Sequence, residues 1–151
     1  MKIAIGSDHG GFDLKENLRE YLISLGHDVI DCGCYSKDRV DYPVYCKKVC
    51  LEVQKDARFG VLVCTTGIGM SICSNKYIGI RSALVMNLDQ AKMTREHNDS
   101  NIICFGAKYV DSYLAKEALD LFLNTEFIGG RHEERVKMIE EAEYERKRSC
   151  I

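Results

Sequence analysis

The sequence predicts an α/β protein with a five-stranded parallel sheet covered by helices on both faces. Short apolar runs alternate along the chain with amphipathic segments of about 10–15 residues, the pattern of strands joined by helical crossovers. The 151 residues, 46% of them hydrophobic, suit one domain with its own core. We therefore expect residues 1–151 to form a single domain, with a charged helical tail from about residue 140.

The first half of the chain predicts three strands and two helices. The strands are expected at residues 2–6, 27–31 and 60–64. The first helix follows a polar loop at 7–11, and Gly26 suits its C-cap. Its apolar stripe consists of Leu14, Leu18, Tyr21, Leu22 and Leu25. The second helix begins near Pro43, because proline suits a first helical turn, and runs to about Lys55.

The second half adds two strands, at 81–86 and 101–106, and four helices. A short helix is expected near 71–75, and another at 89–97. Asp111 can N-cap a helix at 112–123, whose buried face carries Leu114, Ala118, Leu121 and Phe122. Gly129 and Gly130 separate it from a last helix that begins at Arg131. That helix becomes largely charged after Ile139, so we expect its end to project or fray.

Composition argues against several kinds of partner. The formal net charge is -2, which predicts no general attraction to nucleic acid or to a membrane surface. No run approaches the roughly 20 apolar residues of a membrane span. No secretory signal is evident, so the eight cysteines are expected to be reduced thiols in a cytoplasmic protein. Their spacings match no structural zinc pattern.

The junction after the third strand is the strongest functional signal. Cys64 ends an apparent buried strand, and Thr65, Thr66, Gly67 and Gly69 follow at once. Ligands of open α/β sheets bind beyond the carboxyl ends of the strands, and glycine-rich turns there can direct main-chain N–H groups at an anion. The segment offers a thiolate beside an oxyanion site. The alternative is a plain strand-to-helix turn with a buried structural cysteine.

Further candidates follow other elements. Asp8 and His9 come directly after the first strand, on the same sheet edge as Cys64, although Asp8 could simply N-cap a helix and leave His9 exposed. His97 and Asn98 end a helix just before the fifth strand, on the opposite sheet edge. They either cap that helix or reach the site of a neighbouring subunit.

The last helix carries two arginines on one face. Arg131 and Arg135 are four residues apart and suit a phosphate, or else form a solvated basic face paired with neighbouring glutamates. Tyr42 could contact a sugar, or its segment could cap the second helix. No metal constellation, dinucleotide fingerprint or Walker lysine accompanies these groups. Together they suit proton transfer beside the carbonyl of a small phosphorylated substrate.

The candidate residues belong to a longer set of motifs: Gly6-Ser7-Asp8-His9-Gly10-Gly11, Asp41-Tyr42-Pro43, Cys64-Thr65-Thr66-Gly67-Ile68-Gly69-Met70-Ser71, Asn75-Lys76, Gly79-Ile80-Arg81, Arg95-Glu96-His97-Asn98-Asp99 and Gly129-Gly130-Arg131-His132. These motifs lie between residues 3 and 139 approximately. In their order and spacing, the chain resembles the type B ribose-5-phosphate isomerases, a group that includes galactose-6-phosphate and allose-6-phosphate isomerases.

The resemblance implies a Rossmann-like α/β/α sandwich and a metal-free aldose–ketose isomerase without a cofactor. The residue matching Cys64 removes the C2 proton of the open-chain aldose, and that matching Thr66 assists ring opening or proton movement between O1 and O2. Main-chain N–H groups of the turn face the enediolate, from Gly67, Ile68, Gly69, Met70 and Ser71. The other implied roles are ring binding and opening (Asp8, His97), a phosphate clamp (His9, Arg131, Arg135) and substrate contacts (Tyr42, Asn98).

The resemblance also implies a homodimer or homotetramer, in which His97 and Asn98 come from the partner subunit. Two positions depart from the family pattern. Thr65 replaces a common glycine, so it either strains the turn, if that position needs a positive φ, or narrows the pocket. Lys108 replaces a common arginine and keeps the charge expected to contact the substrate, but not the bidentate fork.

The implied reaction is the interconversion of ribose 5-phosphate and ribulose 5-phosphate through a cis-enediolate. Three alternatives remain at this point. The same chemistry could act on a six-carbon sugar, as galactose 6-phosphate or allose 6-phosphate. The chain could be a non-catalytic partner subunit, or a phosphate- or nucleotide-binding module without turnover.

Overall fold

The computed structural model describes residues 1–149, with the backbone alone at 146 and 147. Its strands are β1 (Lys2–Ser7), β2 (Asp28–Asp31), β3 (Phe59–Cys64), β4 (Ser82–Leu84) and β5 (Ile102–Gly106). Its helices are α1 (Phe12–Ser24), α2 (Tyr42–Lys55), α3 (Ile68–Ser74), α4 (Leu88–Asn98), α5 (Ser112–Asn124) and α6 (Arg131–Arg148). A short 3-10 turn, His9–Gly11, precedes α1. The predicted alternation of strands and helices is confirmed.

The sheet is parallel throughout, with the strand order β2-β1-β3-β5-β4. The chain moves outward from β1 to β2 and then returns to β3 on the other side of β1. The carboxyl ends of β1 and β3 therefore flank the topological switch point, where ligands of open α/β sheets bind. We call this side of the sheet, at the carboxyl ends of the strands, the carboxyl edge. The opposite side is the amino edge.

Apolar side chains fill a core on each face of the sheet. Alternate residues of β3 point to opposite faces, so Val61 and Val63 belong to one core and Leu62 and Cys64 to the other. The first core lies under α1, α4 and α5. The second lies under α2 and α3 and contains five buried cysteines, Cys32, Cys46, Cys50, Cys64 and Cys104, with the partly buried Cys73 packed against it. This layering confirms the predicted three-layer α/β sandwich.

Several predicted boundaries are wrong. The short helix after Cys64 begins at Ile68, three residues earlier than expected, because Gly67 adopts φ 76° at the N-cap and lets the helix start at once. β4 has only three residues, since it is the last strand in the order and pairs with β5 alone. Leu25 was expected in the buried stripe of α1 but is 49% exposed, because the helix ends at Ser24.

The last helix continues into the charged segment as expected, but its end is better held than predicted. It continues to Arg148, so the expected fraying is not seen within the described residues. Two of its glutamates contact the segment that precedes β4: Glu140 pairs with Arg81, and Glu143 accepts a hydrogen bond from the Gly79 N–H. These contacts place α6 beside the amino edge of the sheet.

Candidate active site

Cys64 ends β3 at the switch point and is 4% exposed. Its Sγ accepts a hydrogen bond from the main-chain N–H of Gly67 at 3.1 Å. Its carbonyl oxygen accepts another from the Ala107 N–H, which ties the end of β3 to the segment after β5. The sulfur is thus held inside the glycine-rich turn, with a donor directed at it that can stabilise negative charge.

Gly67 makes this turn possible. Its φ of 76° lies in the left-handed region, which glycine adopts without strain. A Cβ at this position would lie 2.5 Å from Cδ1 of Leu84 and 2.9 Å from the main-chain nitrogen of Gly106. The turn consequently packs tightly on β4 and β5, and α3 begins at the next residue. The first turn of a helix carries N–H groups without partners inside the helix, which suits an oxyanion.

The hydroxyl of Thr66 and the ring of Tyr42 both lie against this turn. Thr66 Oγ1 accepts a hydrogen bond from the Ile68 N–H at 3.3 Å. Tyr42, the first residue of α2, lies against Gly69, where an added Cβ would be 2.7 Å from the ring carbon Cζ. Met70 is fully buried, so only its main chain is available to a ligand, whereas Ser71 is half-buried.

Asp8 and His9 reach the same edge from β1, because Ser7 is in register with Val63. Asp8 is buried, and its carboxylate accepts a hydrogen bond from the Gly11 N–H at 3.1 Å, so the predicted N-cap exists. His9 is half-buried rather than exposed. Its Nδ1 accepts a hydrogen bond from the Val40 N–H at 3.2 Å, which leaves Nε2–H of the neutral ring as a donor for an anion.

Thr65 and Lys108 complete the carboxyl edge. Asp99 is the only non-glycine residue with a positive φ in the described part of the chain, so Thr65 does not strain the turn. Its Oγ1 instead packs on Gly10, where any Cβ would overlap it. Lys108 is exposed, its main-chain N–H donates to the Thr65 carbonyl, and its Nζ lies 5.9 Å from the ring centre of Tyr109.

Four predicted residues lie elsewhere, at the amino edge. His97 and Asn98 end α4 just before β5 begins, and Arg131 and Arg135 lie in the first turns of α6. The ring of His97 stacks on that of His132, with 4.2 Å between the ring centres and 9° between the planes. Loss of hydration lowers the pKa of His132, and electrostatic interactions with the neighbouring His97, Arg131 and Arg135 lower it further.

The structure therefore divides the predicted residues into two groups. Cys64, Thr66, Asp8, His9, Tyr42 and Lys108 lie with the turn at the carboxyl edge. The amino-edge group is joined by His132, to which the sequence assigned no role although it follows Arg131 directly. The stack on His97 shows that the two helix ends form one cluster, a contact between residues 35 positions apart that spacing does not predict.

Neither a metal site nor a membrane span is found in the described part of the chain. The described residues hold no group of three or more His, Cys, Asp or Glu side chains placed to bind a metal ion. None of the described helices is both long and apolar enough to cross a membrane. The seven described cysteines, residues 32, 34, 46, 50, 64, 73 and 104, are free thiols.

A thiol, an imidazole and a carboxylate around an N–H-rich turn, at the switch point of an α/β sheet, define a class of enzyme that moves protons on a small anionic substrate. Comparison with known proteins identifies the family within this class. The family model described as Ribose/Galactose Isomerase matches residues 3–139. The chain belongs to this family, as the sequence motifs predict.

Individual relatives are similar to this protein in sequence and structure along nearly the whole chain. The ribose-5-phosphate isomerase B of Escherichia coli is 42% identical over 146 residues, which cover 96% of this chain and 98% of that protein. The structure of the Clostridium thermocellum ribose-5-phosphate isomerase B has a TM-score of 0.95 at 44% identity, covering 96% of this chain and 99% of its own. The Mycoplasma genitalium enzyme with bound ribulose-5-phosphate has a TM-score of 0.91 at 35% identity, covering 95% and 97%.

Proposed function

We propose that this protein interconverts ribose 5-phosphate and ribulose 5-phosphate through a cis-enediolate, with Cys64 as the base. The observation that carries the proposal is the hydrogen bond from the Gly67 N–H to Cys64 Sγ, 3.1 Å long, at the switch point of the sheet. It holds the sulfur beside the donors that a developing oxyanion requires. The family and the sugar named for its solved relatives support the substrate class.

In the proposed reaction, the Cys64 thiolate removes the proton from C2 of the open-chain aldose. The electron pair of that C–H bond forms the C1–C2 double bond, and the carbonyl pair moves to O1, which becomes negative. The N–H groups of Gly67, Ile68 and Ser71 already donate to Cys64 Sγ, Thr66 Oγ1 and the Gly67 carbonyl. The donors proposed for this charge are therefore the N–H groups of Gly69 and Met70, and one such donor is typically worth about 2.7–4 kcal/mol in the barrier. The thiol then returns its proton to C1.

The proton on O2 must move to O1 to complete the ketose, and we propose that Thr66 carries it. Its Oγ1 accepts the Ile68 N–H, so its own hydroxyl proton stays available for donation. Asp8 and His97 are proposed to bind and open the sugar ring, and Tyr42 and Asn98 to contact its hydroxyls. His9, Lys108, Arg131 and Arg135 supply donors and positive charge for the phosphate.

A second copy of the chain is needed to assemble this set. Cys64 lies at the carboxyl edge, whereas the His97–His132 stack, Asn98 and the two arginines lie at the amino edge of the same chain. We therefore propose a homodimer, or a homotetramer built from such dimers, in which the amino-edge group of one copy completes the site of the other. We also propose that residues 1–151 act as one domain, in the cytoplasm, where free thiols persist.

The first experiment is an assay of the purified protein with ribose 5-phosphate in the presence of a chelator, following ketose formation. Galactose 6-phosphate and allose 6-phosphate are assayed in parallel, because the family also contains galactose isomerases. We expect turnover of the pentose phosphate. Turnover of a six-carbon sugar phosphate alone would change the proposed substrate but not the proposed mechanism. No turnover of any of the three sugar phosphates would overturn the catalytic proposal.

The shared site is tested by mixing two variants, Cys64→Ala and His97→Asn. Each homo-oligomer lacks one half of every site, but a hybrid dimer contains one site with both native halves. We expect activity to reappear after the variants are mixed and allowed to exchange subunits. A mixture no more active than its separate components would contradict a site shared between subunits.

A further inference from the structure

The end of α4, which carries His97 and Asn98, is held by a buried arginine of the same helix. The side chain of Arg95 is 3% exposed. Its Nη1 donates to Asp99 Oδ1 and to the Ser100 carbonyl, both at 2.7 Å, and its Nε donates to the Thr125 carbonyl at 3.3 Å. The guanidinium also lies 5.0 Å from the ring centre of Phe59.

A second arginine holds the same segment from the other side. Arg81, which precedes β4, donates through Nε to the Asn98 carbonyl at 3.0 Å. Its Nη2 donates to the carbonyl of Asp99 at 3.0 Å and to Oδ2 of the same residue at 3.1 Å. Its Nη1 pairs with Glu140 of α6 at 3.3 Å. The main chain at residues 98–99 is therefore fastened to two other parts of the fold.

Asp99 joins the two arginines. It is the C-cap of α4, with φ 46°, a left-handed conformation in which helices usually place glycine or asparagine. Its main-chain N–H already closes the helix on the Arg95 carbonyl at 3.3 Å. A cap alone would not require a carboxylate. Here Oδ1 accepts a hydrogen bond from Arg95 and Oδ2 accepts one from Arg81. The negative charge of Asp99 therefore links the two arginines and is not needed for the turn itself.

We propose that Arg81, Asp99 and Arg95 are positioning residues for the isomerase reaction, holding His97 in the place where it acts on the sugar ring of the neighbouring copy. This inference rests on the proposed function. The two arginines donate to the carbonyls of Asn98, Asp99 and Ser100, directly after His97, and Asp99 pairs with both arginines. In this proposal they act through His97 rather than on the substrate. A displacement of about 1 Å in such a group can cost on the order of a hundredfold in rate.

The test uses Asp99→Asn and Asp99→Gly, both of which suit the left-handed conformation and remove the charge. We expect each to lower kcat by roughly 10- to 100-fold. In a His97→Asn background, the same change should cost less than about threefold, because the group it positions is gone. Lys92→Gln is the control: it removes an ion pair of 3.5 Å on the same helix, with Glu96, and should leave kcat unchanged.

Two kinetic outcomes would overturn the inference. Wild-type kcat in Asp99→Gly would mean that the carboxylate serves only the cap, and equal losses in both backgrounds would mean that its effect does not pass through His97. If the Asp99 variants do not fold, Arg81→Lys keeps the charge, loses the fork and is assayed in the same cycle.

A readout that needs no turnover separates this inference from the proposed function. The NMR signal of His97 Hε1 is sensitive to the ring current of His132, which lies 4.2 Å away. We expect it to move in Asp99→Asn and Asp99→Gly and to stay in place in Lys92→Gln. An unmoved His97 signal would overturn the positioning role, even if the wild-type protein turned over none of the sugars.

Discussion

The carboxyl edge and the amino edge of the sheet carry the two halves of the proposed site and hold them by different means. At the carboxyl edge, close packing around glycines places the sulfur, the hydroxyl and the N–H donors within a few consecutive residues. At the amino edge, charged side chains from α4, α6 and the segment before β4 hold one another through ion pairs. The first half depends on local backbone shape, and the second on contacts between distant parts of the chain.

The largest effect is expected when the proposed base at the carboxyl edge is removed. Cys64→Ala should lower kcat by roughly 10²–10⁴-fold, the usual contribution of a positioned general base, with little change in KM. The matched control is Cys73→Ser, because burial raises the pKa of that thiol to about 11 and keeps it protonated at neutral pH. Steady-state kinetics on both variants measure whether the loss in kcat is specific to Cys64. A Cys64→Ala protein that retained more than about a tenth of the wild-type rate would not be missing its base.

The next effect tests whether backbone packing holds the carboxyl edge. Gly67→Ala should cost roughly 2–5 kcal/mol in the free energy of unfolding, since a strained φ and a collision with Gly106 and Leu84 add together. Gly79→Ala, at a similar φ of 74° but with nothing within 4 Å of the new Cβ, should cost only about 1–2 kcal/mol. Denaturant melts of both variants measure the difference. Equal losses would show that packing around the turn contributes nothing beyond the backbone conformation.

A smaller effect is expected for a charge at the amino edge. Arg135→Ala should raise KM about tenfold and leave kcat within about twofold, because a phosphate contact remote from C2 contributes similar binding in the ground and transition states. Lys137→Ala serves as the control on the same helix, since Lys137 is exposed and pairs with Glu133. An unchanged KM in Arg135→Ala would remove this arginine from the phosphate clamp.

The smallest effect concerns the stability of the amino edge at low pH. The pKa of His132 in the folded protein is below its ordinary value of 6.5, so the unfolded chain binds the proton more readily. The stabilising contribution of the neutral ring is therefore present above pH 6.5 and is lost as the pH falls through the lower folded-state pKa. We expect the Tm difference between the wild type and His132→Gln to shrink from about pH 8 to about pH 5.5. A Tm difference that stayed constant over this pH range would contradict the lowered pKa of His132.

Much of the carboxyl edge could be predicted from the sequence, because its signals are local. An apolar run that ends at Cys64, followed by two hydroxyls and two glycines, indicates a strand end and a tight turn without knowledge of the rest of the fold. The cap by Asp8, which the sequence left open as the alternative to a role in the site, is also local, since its partner Gly11 is three residues away. The early start of α3 was missed because it depends on the space that Leu84 and Gly106 leave beside Gly67.

The amino edge was predicted only in outline. The motif indicated His97 and Asn98, and the spacing of Arg131 and Arg135 indicated a shared helix face. Nothing local predicts that the Arg95 side chain is buried, because its partners include Thr125, 30 positions later, and the ring of Phe59. The hydrogen bonds from Arg81 to residues 98 and 99 likewise join segments separated by 17 and 18 positions.

The sequence by itself determined the alternation of strands and helices, the cysteine at the end of β3 and the family of the protein, since these depend on periodicity and on short runs of residues. It also predicted that Cys64 and His97 lie at opposite edges of the sheet, because a helix returning from a parallel strand must end at the edge where the next strand begins. Only the tertiary structure decided which contacts hold the amino edge, namely the stack of His97 on His132 and the ion pairs of Asp99 with Arg81 and Arg95. These contacts depend on how α4, α6 and the segment before β4 pack together, which no short run of residues determines.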